Sequence, residues 1–346
     1  MFEEKVVSVE EFEAKKQAWE EIEGLKSRVI EAEAEKRGYQ TRRLSFDTMI
    51  ITINNKDLLF RDMNGPLSSS AMNLLIDDKH LCRVLVKEAG LSVPESKDTR
   101  LTEVAQFLAF AETVGYPIVL KPNDLSRGMG VFTNIFNEKD LRNRLRKLTN
   151  LIGIDTEKVL VEKQFIGEDY RFFVVDEQVI ACTKRARANV VGDGKQTIRQ
   201  LIDEKNKGRL KNMAMKNYPI PTDVKSLNRL TPQGLTLEDV PKKGVKVILR
   251  EESNIANGGE SIDYTESCHP GFKDIALKAI KAIPGLRYAG LDIIAEDITQ
   301  APTNDNYVLT EIEFSPGPVS MFPWIGEPVD MAGPILDFYK QELKYL

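Results

Sequence analysis

Five residues are placed to do chemistry: Lys121, Glu162, Asp292, Glu311 and Glu313. Lys121 ends the apolar run Pro117-Ile118-Val119-Leu120 and leads into the loop Pro122 to Gly130, which carries Ser126, Gly128 and Gly130. Glycines there let main-chain N–H groups approach phosphate oxygens, and the lysine adds a fixed positive charge. The loop is neither GxxxxGK[ST] nor GxGxxG, and two glycines between strands are more often a plain tight turn. Glu162 ends a second apolar run, Val159-Leu160-Val161, ahead of an irregular stretch from Lys163 to Gly167. Free backbone groups near Phe165 can read an adenine edge, and Asp169 can accept from ribose hydroxyls; a charged edge strand is the plain alternative. Asp292 lies inside Gly290-Leu291-Asp292-Ile293-Ile294, where a lone carboxylate is costly, so a compensating cation is expected. Glu311 and Glu313 stand two apart and so project from one face of their strand. Three converging carboxylates invite a hard, oxygen-seeking metal such as magnesium. The alternative is an Asp292 exposed at a strand end.

The elements that must carry these residues follow from periodicity. Val9 to Arg37 repeats apolar residues at three- and four-residue steps and reads as an amphipathic helix ending at Gly38. Met49–Ile53 and Leu58–Phe60 around Asn54-Asn55 read as a hairpin. Asp77 or Asp78 caps a helix to Gly90, and Thr102 caps one to Gly115. Strands are predicted at 117–122, 131–135 and 159–162, with a basic helix from Glu138 to Leu148. Tyr170–Val175 and Gln178–Lys184 form a hairpin turning at Asp176-Glu177. Asp193-Gly194 makes a turn, and Thr197 with Gln200 makes a capping box. Residues 208 to 244 hold four prolines and little periodicity, so they read as a surface excursion. A helix at Phe272–Ile283, strands at Gly290–Ala295 and Tyr307–Phe314, and a closing helix from Ala332 complete the chain.

A length of 346 residues exceeds what one core usually organises, so two or three packed units are expected. Lys and Arg number 48 against 53 Asp and Glu, a net charge of −5, which argues against a protein that coats nucleic acid or anionic membrane. With two histidines, His80 and His269, a multi-histidine metal centre is excluded and any divalent ion must sit on carboxylates. Cys82, Cys182 and Cys268 are odd in number and form no CxxC, which fits neither a disulfide framework nor zinc and favours a reducing cytoplasm. The longest apolar run is Phe107 to Ala111, far short of a membrane span, and the acidic N-terminus does not read as a signal peptide.

Taken in order, Lys79, Lys121 with its loop, Glu162 to Asp169, Asp292 and Glu311-x-Glu313-x-Ser-Pro-Gly resemble the ATP-grasp superfamily over roughly residues 70 to 320. Asp169-Tyr170-Arg171, Val190 to Ile198, Gln233 to Leu237 and Ser253 to Asp263 are similar to the modules of cyanophycin synthetase and the bifunctional glutathione synthetase. The resemblance implies a mixed α+β, α/β architecture in three parts: an N-terminal α/β subdomain (1–76), a central lid (77–168) and a C-terminal subdomain with a metal site (169–346). It also implies that Lys79, Lys121, Ser126, Gly128 and Gly130 hold ATP phosphates, that Glu162, Lys163 and Phe165 hold adenine, and that Asp169 holds ribose. Asp292, Glu311 and Glu313 would bind two magnesium ions, with manganese tolerated. Arg171, Arg185 and Arg187 would face the γ-phosphate, with the backbone near Gly317 on the oxyanion. Asn254, Gly258, Gly259 and Ser315 would line the substrate site. Two departures stand out. Glu313 occupies a position where many members carry Asn. Gly290 stands where D-alanine ligases carry Arg, so the missing charge is assigned to Lys184-Arg185-Ala186-Arg187.

The implied reaction joins a carboxylate to an amine. The carboxylate attacks the γ-phosphate of ATP, and an amine displaces phosphate from the resulting acyl-phosphate. The partners would be small-molecule carboxylates and amines, such as amino acids or short peptides, with a homodimer left open. A small-molecule kinase on the same scaffold and a nucleotide-binding module without turnover are the rival readings.

Overall fold

The computed structural model describes residues 24–123, 130–152 and 158–344. The first helix, α1, is described from 24 to 36, and the earlier part of the helix expected there lies outside the described residues. Three strands follow, β1 (Gln40–Arg43), β2 (Thr48–Ile53) and β3 (Lys56–Arg61), in one antiparallel sheet. The β2–β3 turn works as expected because Asn54 and Asn55 adopt φ of 51° and 63°, a region Asn tolerates. Sequence periodicity missed β1, an exposed strand with no apolar alternation, and also the short helix α2 (Ser70–Asp77).

Helix α3 (Lys79–Glu88) is capped by Asp78, whose side chain accepts from the N–H groups of His80 and Leu81. This cap fixes Lys79 as the first helical residue. Strand β4 (Ser96–Arg100), helix α4 (Val104–Val114), strands β5 (Ile118–Pro122) and β6 (Phe132–Ile135), helix α5 (Glu138–Ile152) and strand β7 (Lys158–Lys163) build a four-stranded antiparallel sheet in the order β4-β7-β5-β6. Its strand alternation divides the residues cleanly. Ile118, Leu120, Val159 and Val161 pack against Phe107, Ala111, Leu141, Leu145 and Leu148 of the two helices. By pleat parity, Val119, Lys121, Leu160 and Glu162 point the other way.

The largest sheet is antiparallel in the order β12-β9-β8-β13-β14. Its strands are β8 (Glu168–Val175), β9 (Gln178–Ala186), β12 (Glu260–Asp263), β13 (Tyr288–Ala295) and β14 (Tyr307–Glu313). One face is apolar over most of its area: Tyr170, Phe172, Cys182, Leu291, Ile293 and Leu309 pack on helix α8 (Pro270–Lys281) and on Ile76, Cys82 and Val86 of α2 and α3. The opposite face is split along its strands. Phe173, Val175, Ala181 and Tyr288 join Met49, Ile51 and Phe60 of the N-terminal sheet and Ile335, Leu336 and Tyr339 of the final helix, α9 (Ala332–Glu342). Further along the same strands, at the same parity, stand Asp169, Arg171, Arg185, Asp292 and Glu311. Apolar cover on both sides of one half thus leaves the other half as a polar platform.

The expected surface excursion at 208–244 is corrected. Met215, Ile220, Leu230 and Leu237 are buried, and the last three share a core with Val190, Ile198, Ile202, Val247 and Leu249. This lobe contains strand β10 (Asn189–Val191) paired with β11 (Lys246–Ile248), helix α6 (Ile198–Arg209) and helix α7 (Val224–Leu230). The α6 capping box of Thr197 and Gln200 forms as predicted. Irregular spacing of the buried residues, broken by prolines, hides such a core from periodicity.

Candidate active site

Helix α3 runs between the two main sheets and ties them with charge. Lys79 Nζ lies 3.1 Å from the Asn123 carbonyl on one side and 3.2 Å from Glu311 Oε1 on the other. One turn later Arg83 donates to Glu162 at 2.5 Å and to the Thr310 carbonyl at 2.7 and 3.1 Å. Lys121 Nζ completes the group, 3.1 Å from Glu162 Oε1. Burial alone would raise the pKa of Glu162, but Arg83 and Lys121 outweigh it and hold the carboxyl below its ordinary range. Burial and the nearby Arg83 push Lys121 down, against the pull of Glu162 and Glu311.

On the facing platform Asp292 is 4% exposed and gripped by two guanidinium groups. Arg171, its cross-strand neighbour, binds both oxygens through Nε and Nη2. Arg185 reaches Oδ2 at 2.5 Å. Burial is the largest influence and works against ionisation, yet the two arginines prevail and Asp292 stays below the usual carboxylate range. Arg171 also pairs with Glu313, and those two acids raise its pKa further against the cost of burial.

Gly290 now has a physical reason. A Cβ there would fall 2.8 Å from Pro316 Cβ and 3.1 Å from Arg171 Cδ. The Arg171 stem and the turn after β14 therefore occupy the space a side chain would need. The charge that the sequence lacks at position 290 arrives through Arg171 of the adjacent strand β8 and Arg185 of β9, one strand further on. Of the cluster assigned to that task only Arg185 reaches Asp292, while Arg187 is exposed.

The three carboxylates share a face, with Asp292 opposite Glu311 and Gly290 opposite Glu313 in register. Among the described residues no three His, Cys, Asp or Glu side chains gather as for a metal ion. Each is drawn instead to Lys79, Arg171 or Arg185, because uncompensated acids at this depth are costly.

The other expected site residues have defined surroundings. Lys163 Nζ donates to the carbonyls of Gly115 and Tyr116 at 3.1 and 3.0 Å, at the end of α4. Asp169 has both oxygens engaged by Arg185 at 2.9 and 3.0 Å, and Ser253 Oγ donates to Oδ2 at 2.5 Å. Phe165 is half-buried beside them in sequence only. Gly130 adopts φ of 71° against Pro122 and Leu148, while Ser126 and Gly128 lie outside the described residues. Asn254 caps a short turn by accepting from Ala256 N–H, and Gly258 follows at φ of 87° beside Gly259. Ser315 meets Lys26 and Asp62 of the N-terminal unit, and Gly317 lies half-buried in the turn beyond it.

Sequence reasoning missed Arg83, Arg209, Lys26, Asp62 and Ser253. Arg83 was within reach, since it is four residues after Lys79 on a predicted helix and must share its face. Arg209 carried no such signal. It is buried, and its guanidinium donates to the carbonyls of Tyr218, Ile255, Gly258 and Gly259 at 2.8 to 3.2 Å. Burial lowers its pKa to about 10.

Helix α3 thus ties a four-stranded sheet that carries Lys121 and Glu162 to a five-stranded sheet that carries Arg171, Arg185, Asp292, Glu311 and Glu313. Residues 78–193 match the family model described as "Carbamoyl-phosphate synthase L chain, ATP binding domain". The glutathione biosynthesis bifunctional protein GshAB of Clostridium perfringens is 33% identical over 272 residues, covering 76% of this chain and 34% of that protein. Cyanophycin synthetase of Geminocystis herdmanii is 33% identical over 264 residues, covering 75% of this chain and 30% of that protein. The crystal structure of a bifunctional glutathione synthetase from Pasteurella multocida superposes with a TM-score of 0.68 at 24% identity, over 92% of this chain and 43% of that one. The chain belongs to the ATP-grasp superfamily and has its fold. It spans about a third of the length of these curated relatives. No described helix is long and apolar enough to cross a membrane.

Proposed function

We propose that the chain is an ATP-dependent carboxylate-amine ligase that forms an amide or peptide bond through an acyl-phosphate. The observation that carries this reading is the pair of sheets joined by Lys79 and Arg83, with Lys121 on one side and Arg171, Arg185, Asp292, Glu311 and Glu313 on the other. ATP is the nucleotide and lies between the sheets. Lys79 and Lys121 offset its phosphates, and Arg171 and Arg185 offset the charge that develops as the γ-phosphate passes to the substrate carboxylate.

The donor set fits magnesium: all oxygens, no thiolate or imidazole, with Glu311 and Glu313 half-exposed on one face. Glu311 and Glu313 would hold the metal with Asp292 behind them, and the ion, when bound, would neutralise phosphate charge. Glu313 adds a negative charge there, which favours tighter binding and admits manganese. Glu162 and Arg83 hold Lys121 in place. The remaining assignments, Asn254, Gly258, Gly259 and Ser315 on substrate and Gly317 on the oxyanion, follow from the same reading. The three buried free thiols support a reducing cytoplasm. Of the division at 1–76, 77–168 and 169–346, the central unit is supported by a core of its own, whereas the 1–76 unit shares one with the five-stranded sheet and α9, and α2 and α3 pack on that sheet's other face.

Purified protein incubated with ATP, magnesium and pooled amino acids, with and without hydroxylamine, tests the proposal. A new amide found by mass spectrometry, and a hydroxamate when hydroxylamine is present, is the expected result. ADP formed without an amine, together with a stable phosphorylated product, would make the protein a kinase instead.

A further inference from the structure

The acids of the platform and lid are each met by cations: Asp292 by Arg171 and Arg185, Glu162 by Arg83 and Lys121, Glu311 by Lys79 and Glu313 by Arg171. At the end of β14 the compensation is weaker. Asp62, on the turn that closes β3, lies against Ser315, two residues past Glu313. Its Oδ2 is 3.4 Å from Ser315 Oγ and 3.7 Å from Lys26 Nζ. Its Oδ1 is buried with no hydrogen-bond partner among the described residues. An acceptor left in that condition costs free energy that a bound donor would recover.

Two further observations bear on the same point. Asp62 holds φ of 53°, a left-handed conformation uncommon outside glycine and tolerated best by Asn and Asp. Burial raises its pKa, the mark of a carboxylate that its neighbours under-compensate. The position matters as well. Ser315 touches Asp62, and Pro316, the next residue, packs over Gly290, which also lies against the stem of Arg171, the arginine that holds Asp292 and Glu313. Lys26 fixes the turn by donating to the Ser315 carbonyl at 2.7 Å.

We infer that Asp62 binds the ammonium group of the amine substrate, an amino acid or the N-terminus of a short peptide, with Lys26 and Ser315 as its positioning residues. Asp62 Oδ1 accepts an N–H of the ammonium beside the Ser315 turn and takes up that proton; the freed amine attacks the acyl carbon, the C–N bond forms as the C–O bond to phosphate breaks, and the departing phosphate carries off the second proton. The inference rests on the ligase reading. The N-terminal unit, which contributes no residue to the phosphate-facing set, thereby sets which amine is used.

The test compares wild type with Asp62→Asn, a change that keeps side-chain volume and suits the left-handed turn. Hydroxylamine serves as a second nucleophile because it is largely uncharged at neutral pH and needs no ammonium acceptor. In Asp62→Asn, the KM for the amino-acid amine in the active pool should rise at least about tenfold. ATP-dependent hydroxamate formation and the KM for ATP should stay within about twofold. Lys26→Gln should show a smaller shift in the same direction. Equal loss of hydroxamate and amide would overturn the inference, as would an unchanged amine KM. Absence of hydroxamate from the wild type would instead remove the ligase reading itself. Should Asp62→Asn not fold, Asp62→Ser carries the same comparison.

Discussion

Asp292 shows what single residues contribute here. Its charge survives burial only because Arg171 and Arg185 supply more than the desolvation takes away, and Glu162 is held in the same way by Arg83 and Lys121. Both groups have a folded pKa below the unfolded value, about 3.9 for Asp and 4.3 for Glu. Their contribution is therefore fully present above those values and is lost as pH falls through the folded ones, since the unfolded chain takes up the protons first. Urea unfolding between pH 7 and pH 3 should show stability falling with acid, and Asp292→Asn should show a shallower slope. Glu311 differs, being half-exposed with one cationic partner. Glu311→Gln should lower ATP-dependent phosphate release by roughly a hundredfold, the scale of a lost charge-stabilising group. Its melting temperature should fall only slightly, because the Glu311 end of the pair is half-exposed and Lys79 keeps its bond to the Asn123 carbonyl. Activity close to wild type in that variant would remove Glu311 from the metal set.

Element-scale organisation is clearest in helix α6. Its capping box starts the helix on the correct residue, and twelve residues later Arg209 enters a pocket made wholly of main-chain carbonyls. Lys205, one turn earlier, donates to the Asn189 carbonyl at 2.7 Å and pairs with Glu260. Arg209 pegs the Asn254–Gly259 loop to the lobe, and Lys205 does the same for Glu260 at the start of β12. Arg209→Met would leave several buried carbonyls without donors and should cost at least about 3 kcal/mol, read as a lower urea midpoint. Arg209→Lys should recover only part, since an ammonium cannot span four carbonyls in a plane. Most elements of this kind were legible beforehand: the Asn54-Asn55 hairpin, the Asp78 cap and the Thr197–Gln200 box each have a local chemical signature. The lobe around Ile220 and Leu237 was not, because its burial follows no period and its order depends on an arginine remote from the loop it holds.

At the scale of the whole molecule, α3 decides how the two sheets face each other. Its outer turn, Lys79 and Arg83, touches Asn123 and Glu162 on one sheet and Glu311 and Thr310 on the other. Arg83→Met would remove one of the two cations on a buried carboxylate, at a cost of about 3 to 5 kcal/mol. Amide hydrogen exchange should then speed up in residues 96–163 while strands β8 and β13 keep their protection. Uniform acceleration across both sheets would show that Arg83 does not act as their link.

The family resemblance, the acidic strands, the lysines and most of the longer helices and strands were readable from residue types and spacing, because periodicity, caps and turn residues act over a few positions of chain, whereas β1, α2, β4, α7 and the short strands β10, β11 and β12 were not. Tertiary structure alone decided the partners. Which cation meets which acid, why position 290 must be glycine, and where Lys163 and Asp169 point depend on strand register and on segments hundreds of residues apart. A carboxylate's charge is visible in a sequence, but the cation that compensates its burial is chosen only when the chain has folded.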